Sequence, residues 1–268
     1  MALYRARPAD GTAWVTGAST GLGRTLALDL ARAGYTVAAT ARSEDKLADL
    51  AREAAGLAGR VMPFACDVTD RAAMADTLAA IETQAGPVAL AVFNAGTFQP
   101  LRGERFEVEP FVKTIEINVF GVVHGLAPLI ERMRARGRGQ IAITGSVTAY
   151  FGLPSAAAYG ASKAALNNMA EALRFDLEKL NIRIQMINPG FVDTPLTKKN
   201  RFAMPALMPA EKAAARIVQA LRTGGFETTF PRRFTWSLKA LRLFPHAVVH
   251  PVLNRATGWH RRNPAARD

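Results

Sequence analysis

The chain has 268 residues, 49% of them hydrophobic, enough for one sizeable α/β domain with its own core. It carries a formal net charge of +12, with 26 Arg and 8 Lys against 22 acidic residues, and a single cysteine, Cys66. One cysteine excludes an intramolecular disulfide and points to a reducing, cytoplasmic setting, with Cys66 as a small core residue at a strand end. No stretch approaches the ~18 uninterrupted apolar residues of a spanning helix, and the polar start with Tyr4, Arg5, Arg7, Pro8 and Asp10 does not read as a signal peptide.

In chain order, short apolar, β-branched runs alternate with helical patterns. Strands are expected at Thr12–Thr16, Thr36–Thr40, Val61–Ala65, Val88–Phe93, Gln140–Thr144 and Arg183–Ile187. Helices are expected at about 22–33, 44–55, 70–84, 104–135 and 155–179, then from Pro209 to Arg222, before a short strand near Glu227–Phe230. The alternation predicts βαβ units and a doubly wound parallel sheet of Rossmann type in a single domain, with ligands outside the carboxyl ends of the strands. The run Arg132, Arg134, Arg136, Arg138 reads as a solvated helix end, where cations suit the negative pole of the dipole. Residues 1–230 form the expected catalytic domain and 231–268 a basic amphipathic extension.

Four features carry chemistry. Gly17, Gly21 and Gly23, in Thr16-Gly17-Ala18-Ser19-Thr20-Gly21-Leu22-Gly23, lie where the first strand turns into the first helix. Glycines there let the backbone approach a pyrophosphate that faces the helix N–H groups. Tyr159 and Lys163, four residues apart, share one helix face. A cation at ~4 Å supplies about the 4 kcal/mol needed to bring a phenol near neutral pKa. Ser146 lies thirteen residues before Tyr159. At the end of the second strand, Arg42 and Ser43 stand where an NAD site wants a carboxylate. No acid would repel a 2′-phosphate there, and Arg42 offers charge-assisted contacts to one, so NADP(H) is expected.

With these residues, and with Asn94-Ala95-Gly96, Asn118 and Pro189-Gly190 in register, residues 11–225 resemble the short-chain dehydrogenase/reductase family. The resemblance implies hydride transfer between NADP(H) and a carbonyl or alcohol carbon. In that reading Tyr159 is the general acid or base, and Lys163 lowers its pKa and holds the nicotinamide ribose. Ser146 binds the substrate oxygen and Asn118 supports a water-linked proton relay. It also implies that Asp67, beside Val68, meets the adenine amino group and that Asn94 and Gly96 shape the adenosine wall. Pro189 and Gly190 lie beside the nicotinamide, with Val192 and Thr194 at its carboxamide, Thr194 also being a candidate helix N-cap. Phe93 replaces a second Asn of the family pattern. No metal site is expected.

The stretches Val147–Ser155 and Leu196, Phe202, Met204, Leu207 and Met208 are apolar, which favours a lipophilic ketone or secondary alcohol; core packing is the other use for them. Alternatives are a 3-oxoacyl-thioester reductase acting on a carrier protein or coenzyme A substrate, and a catalytically silent dinucleotide sensor. The family resemblance implies a homodimer or homotetramer through the helices at 104–135 and 155–179. Nucleic acid is not an expected partner. The segment 234–262 reads either as a peripheral membrane contact, with Trp236, Leu241 and Phe244 at a bilayer surface, or as a segment packed on the body.

Overall fold

The computed structural model describes residues 3–199 and 204–262; Phe202 and residues 263–268 of the basic extension lie outside the described residues. In chain order the elements are β1 (Thr12–Thr16), α1 (Gly21–Arg32), β2 (Thr36–Ala41), α2 (Glu44–Glu53), β3 (Arg60–Ala65), α3 (Arg71–Ala85) and β4 (Val88–Phe93). They continue with α4 (Val108–Ile115), α5 (Gly121–Ala135), β5 (Gly139–Thr144), α6 (Ala157–Leu177), β6 (Ile182–Pro189), β7 (Val192–Asp193) and β8 (Met208–Pro209). Last come α7 (Ala210–Thr223), β9 (Glu227–Phe230), α8 (Arg232–Leu241) and α9 (His246–Ala256).

Strands β1, β4 and β5 are buried along their whole length, as strands covered on both faces must be. The parallel sheet runs β3-β2-β1-β4-β5-β6-β9, and its order reverses between β1 and β4. Alternation along β1 sends Ala13 and Val15 to the layer of Leu26, Leu47 and Ile217, and Trp14 to the layer of Leu78, Leu129 and Leu166. Each such apolar side chain taken fully out of water contributes ~1.5–3 kcal/mol. Phe93 is 1% exposed and edge-on to Trp14, with ring centroids 5.5 Å apart, so the departure from the family pattern serves this second layer.

Two expected helices differ. The one placed at 104–135 starts at Val108 and is interrupted by a π-helical turn over Glu116–Phe120 before α5 resumes. The one placed at 155–179 starts at Ala157, because Ser155 has φ +58° and cannot continue a right-handed helix. The arginine run is also more than a solvated end. Arg132 and Arg136 meet Glu82 of α3 at 3.6 and 2.5 Å, and Arg136 Nη2 donates to the Val88 carbonyl at 2.9 Å.

Buried amides tie the amino ends of β5 and β6 to their surroundings. Gln140 Oε1 accepts from the Ala6 N–H at 2.8 Å, while its Nε2 donates to Gln185 Oε1 at 2.6 Å and to the Leu221 carbonyl at 2.8 Å. Gln185 Nε2 donates to the Ala220 carbonyl at 3.1 Å. Replacing Gln140 by Leu strands these partners without water. Gln140→Leu is expected to lower unfolding free energy by about 2 kcal/mol in urea titration, the cost of leaving buried polar groups unmet.

Candidate active site

The turn between β1 and α1 depends on close backbone packing. Gly17 has φ +69°, and a Cβ there would lie 2.7 Å from Ala95 Cα. A Cβ on Gly23 would meet the Gly17 carbonyl oxygen at 2.3 Å. The Asn94 N–H donates to Thr16 Oγ1 at 3.0 Å and its Nδ2 donates to the Thr16 carbonyl at 3.3 Å, so this side chain braces the turn from β4. Ala95 N–H donates to the same Thr16 hydroxyl. Ser19 and Leu22 are partly exposed and Thr20 fully so. Thr20 precedes α1 without a side-chain cap, and the first turn holds no acid. The amide dipoles of Gly21 and its successors are therefore left for an anion.

The two ends of the proposed dinucleotide cleft frame this turn. On one side Thr194 lies against it, its Cβ 3.2 Å from where a Cβ of Gly21 would sit. The Thr194 N–H donates to Thr197 Oγ1 at 3.1 Å, so Thr197, which the sequence reading missed, takes the capping role there. Val192 is buried in β7, Pro189 ends β6, and the Gly190 N–H donates to the Phe230 carbonyl at 2.8 Å. On the other side Arg42 leaves β2 with its side chain 73% exposed and Nη1 3.9 Å from Asp67 Oδ2. Ser43 leads into α2 without capping it. Burial pushes the Asp67 carboxyl up, but hydrogen bonds from the Thr69 N–H (2.9 Å) and hydroxyl (2.8 Å), with Arg42 beside it, outweigh that. Asp67 is held below the usual carboxylate range. Val68 is buried against Gly121, and its carbonyl meets His124 Nδ1 at 3.0 Å.

At the carboxyl ends of β4 and β5 the four proposed catalytic side chains converge. Asn118 sits in the π-helical turn with no exposed surface. Its Oδ1 accepts from the Thr97 N–H at 2.7 Å, and its Nδ2 donates to the Thr97 carbonyl at 3.0 Å and to Ser162 Oγ at 2.9 Å. Lys163, 3% exposed on α6, donates from Nζ to the Thr144 carbonyl at 2.7 Å. Gly96 lies over both: a Cβ there would be 3.3 Å from Asn118 Oδ1 and 3.7 Å from Lys163 Nζ. Tyr159 is partly buried, with Phe98 edge-on at 5.4 Å and Lys163 Nζ 5.6 Å from its ring centroid.

The electrostatics differ from expectation. Burial raises the Tyr159 phenol, and a side-chain hydrogen bond with Ser146 lowers it without cancelling the rise. Lys163 does not bring the phenol below its ordinary value, because its ammonium is directed to Thr144 and is itself depressed by burial to about 8. Three buried side-chain oxygens without a hydrogen-bond partner, Thr144 Oγ1, Thr148 Oγ1 and Asn188 Oδ1, belong to the segments around this cluster. Unmatched polar atoms, a buried ammonium and an uncapped glycine turn together fit a polar phosphate-bearing cofactor.

The apolar stretches divide. Val147 and Tyr150 are buried in the fold, while Leu207 is exposed and Met208 pairs in β8. Tyr150 falls to the core-packing side of the stretch Val147–Ser155, and its hydroxyl donates to Glu227 Oε1. That oxygen also accepts from Asn188 Nδ2 at 2.8 Å, and Oε2 meets Lys239 Nζ at 2.5 Å. Lys239 of α8 and Arg242, just past its end, lie over the Tyr150 ring at 5.8 and 5.7 Å. Glu227 therefore joins the loop after Ser146, the end of β6 and the basic extension, a role that a lone acid in a short strand does not signal. Among the described residues no cluster of three or more His, Cys, Asp or Glu could hold a metal, and no helix is long and apolar enough to cross a membrane.

A sheet with its switch point between β1 and β4, a glycine turn at that point and a Ser-Tyr-Lys cluster beside it define a dinucleotide-binding oxidoreductase. The family model described as short chain dehydrogenase matches residues 11–204, and the chain belongs to that family, whose members bind a nicotinamide dinucleotide. An uncharacterized oxidoreductase of Myxococcus xanthus is 36% identical over 244 residues, 91% of this chain and 96% of its own length, so the similarity reaches past Phe230 into the extension. A 3-oxoacyl acyl-carrier-protein reductase of Thermotoga maritima is 32% identical over 69% of this chain and 75% of its own length. Among solved structures, a short chain dehydrogenase of Burkholderia cenocepacia in complex with NADP superposes with a TM-score of 0.77 at 27% identity, covering 89% of this chain and 97% of that one.

The Lys163 charge gives a pH-dependent test. Its folded pKa, about 8, lies below the ordinary 10.5, so the unfolded chain binds more protons between those values. The burial penalty is then fully present below pH 8 and relieved as pH rises toward 10.5. Lys163→Met is expected to be more stable than the parent at pH 7 by up to about 3 kcal/mol. That advantage should vanish near pH 10.5, as read from paired urea titrations.

Proposed function

We propose that this chain is an NADP(H)-dependent oxidoreductase that transfers hydride between the nicotinamide and a lipophilic ketone or secondary alcohol. The observation that carries this reading is the Tyr159 side chain at the head of α6, whose ring centroid lies 5.6 Å from the Lys163 ammonium. When bound, the nicotinamide supplies or takes the hydride. The phenol, kept neutral by burial, donates its proton to the carbonyl oxygen in reduction and its conjugate base takes one in oxidation. Ser146 donates to the same oxygen, and the Lys163 charge stabilises the phenolate left behind. Lys163 and Tyr159 also hold the nicotinamide ribose, and Asn118 anchors the Thr97 backbone and the Ser162 hydroxyl as part of a proton path.

Gly17, Ser19, Thr20, Gly21, Leu22 and Gly23 bind the pyrophosphate, Asp67, Val68, Asn94, Ala95 and Gly96 the adenosine. Pro189, Gly190, Val192 and Thr194 bind the nicotinamide end. Arg42 and Ser43 select the 2′-phosphate, a choice supported by the exposed guanidinium at the end of β2 and by the cofactor named with the Burkholderia structure. The chain works in the cytoplasm as a homodimer or homotetramer. Exposed Val112 and Phe120, flanking the π-helical turn, and Phe175 on α6 support assembly through those elements. The acyl-carrier-protein substrate named for the Thermotoga relative supports a second reading, a 3-oxoacyl-thioester reductase.

NADPH oxidation across short, long-chain and polycyclic ketones and 3-oxoacyl thioesters separates these readings. Turnover should climb with ketone lipophilicity; turnover confined to thioesters selects the second reading. Tyr159→Phe should lose on the order of 10³-fold in kcat while binding NADPH as the parent does. Arg42→Ala should raise the KM for NADPH about tenfold and leave that for NADH unchanged, and an unmoved NADPH value refutes the phosphate assignment.

A further inference from the structure

We propose that the consecutive helices α8 and α9, with the turn between them, are a docking surface for an anionic lipid bilayer, presenting the site to lipophilic substrates held there; the substrate part rests on the function proposed above. Helices α8 and α9 are each buried at one residue, Thr235 and Val249, with partly buried neighbours such as Phe234, Leu238 and Leu253, and expose their remaining faces. The connection between them projects. Leu243 is 87% exposed and Phe244 55%, with Trp236 (66%), Val248 and Val252 exposed on either side. Trp236, Leu243 and Phe244 are the exposed apolar contacts; Leu241, expected to join them, is partly buried.

Charge selects among possible occupants. From Pro231 to Arg262 the chain has seven basic residues and no acid, and Arg232, Arg233, Arg242, Arg255 and Arg261 are exposed. A second copy seated on the same patch would set like charges against each other across a two-fold axis. An acidic protein answers the charge but takes up a projecting turn of Leu and Phe only where it offers an apolar pocket shaped for it. An anionic bilayer answers both, with headgroups for the guanidinium groups and an acyl boundary for the apolar turn.

The extension is held at both ends to the parts of the chain that frame the site. Lys239 pairs with Glu227, which shares its carboxylate with Tyr150, and Phe234 lies against Gly190, its Cδ1 3.1 Å from where a Cβ would sit. At the far end Arg262 Nη1 meets Glu104 Oε1 at 2.7 Å, and Arg262 lies over the Trp259 ring at 4.3 Å. Glu104 follows the segment whose Phe98 packs on Tyr159. The helix that leads into the apolar turn is thus already fixed to the body through Glu227 and Gly190, and docking need not order it.

The full chain is tested by sedimentation at low salt with vesicles of equimolar phosphatidylcholine and phosphatidylglycerol, and with phosphatidylcholine alone. The expected result is co-sedimentation with the mixed vesicles, weakened about tenfold or more by physiological salt or by removing the anionic lipid. The double variant Leu243→Glu, Phe244→Ser should lose at least about tenfold in vesicle affinity. Its thermal unfolding, NADPH binding and turnover of a water-soluble ketone should match the parent, because both side chains point to solvent. Absence of sedimentation at low salt, or undiminished binding by the double variant, overturns the proposal. Binding to an acidic acyl carrier protein with none to vesicles overturns it too and gives the patch to a protein partner. Vesicle binding without preference for lipophilic ketones keeps the docking surface and removes only the substrate reading.

Discussion

Lys163 brings an ammonium into a position with 3% of its surface exposed, where the Thr144 carbonyl at 2.7 Å receives one of its protons, and the neighbourhood is arranged around that charge. Holding its pKa near 8 is a burden of about 3 kcal/mol on a fold whose net stability is of order 5–15 kcal/mol. The helix that carries Lys163, α6, is packed into the core through Leu166, Ala170 and Leu177. Gly96 lies over the same charge, where a Cβ would fit tightly against Asn118 Oδ1 at 3.3 Å and reach ordinary contact with Nζ at 3.7 Å. Desolvation acts with opposite sign on the neighbouring phenol. It keeps Tyr159 protonated while Lys163 stays mostly charged at neutral pH, which is the pairing a proton donor in carbonyl reduction requires.

Much of this was legible in the chain because period and punctuation are local. The fully buried strands β1, β4 and β5 announce themselves as uncharged β-branched runs, and Gly17, Gly21 and Gly23 mark a turn that tolerates no side chains. The i, i+4 spacing of Tyr159 and Lys163 puts both on one face of α6 wherever that helix starts. The π-helical turn at Glu116–Phe120 was not legible, because one extra residue in a turn leaves the apolar pattern of a long helix almost intact. The place of Tyr150 within the stretch Val147–Ser155 was left open for a different reason. An aromatic in an apolar loop looks like pocket lining until the acid that binds its hydroxyl, 77 residues later, is known. Likewise, hydropathy finds the amphipathic extension but not the Arg262–Glu104 contact that folds its end back.

The proposed selection of cofactor rests on one exposed side chain. Arg42 is 3.9 Å from Asp67, yet both are substantially exposed, and a contact at that distance in water is worth little. The guanidinium is therefore at small cost to redirect toward a phosphate. Asp67 does not depend on it, because Thr69 supplies two hydrogen bonds that keep the carboxylate charged and oriented. The division lets one residue answer the adenine end and the other the phosphate without competing for a single position.

Glu227 makes the extension part of the site rather than an appendage. Its two carboxylate oxygens are divided between body and tail: Oε1 receives Tyr150 and Asn188, Oε2 receives Lys239. Those three hydrogen bonds more than offset the burial that would raise its carboxyl, so the anion is held well charged. Withdrawing Lys239 would leave a half-buried carboxylate without a cation and a phenol hydroxyl bound to it. The Tyr150 loop, which begins at Ser146, would then lose its fixed point. The tail that follows β9 at the edge of the sheet thus supplies a cation to the acid that holds the loop after Ser146.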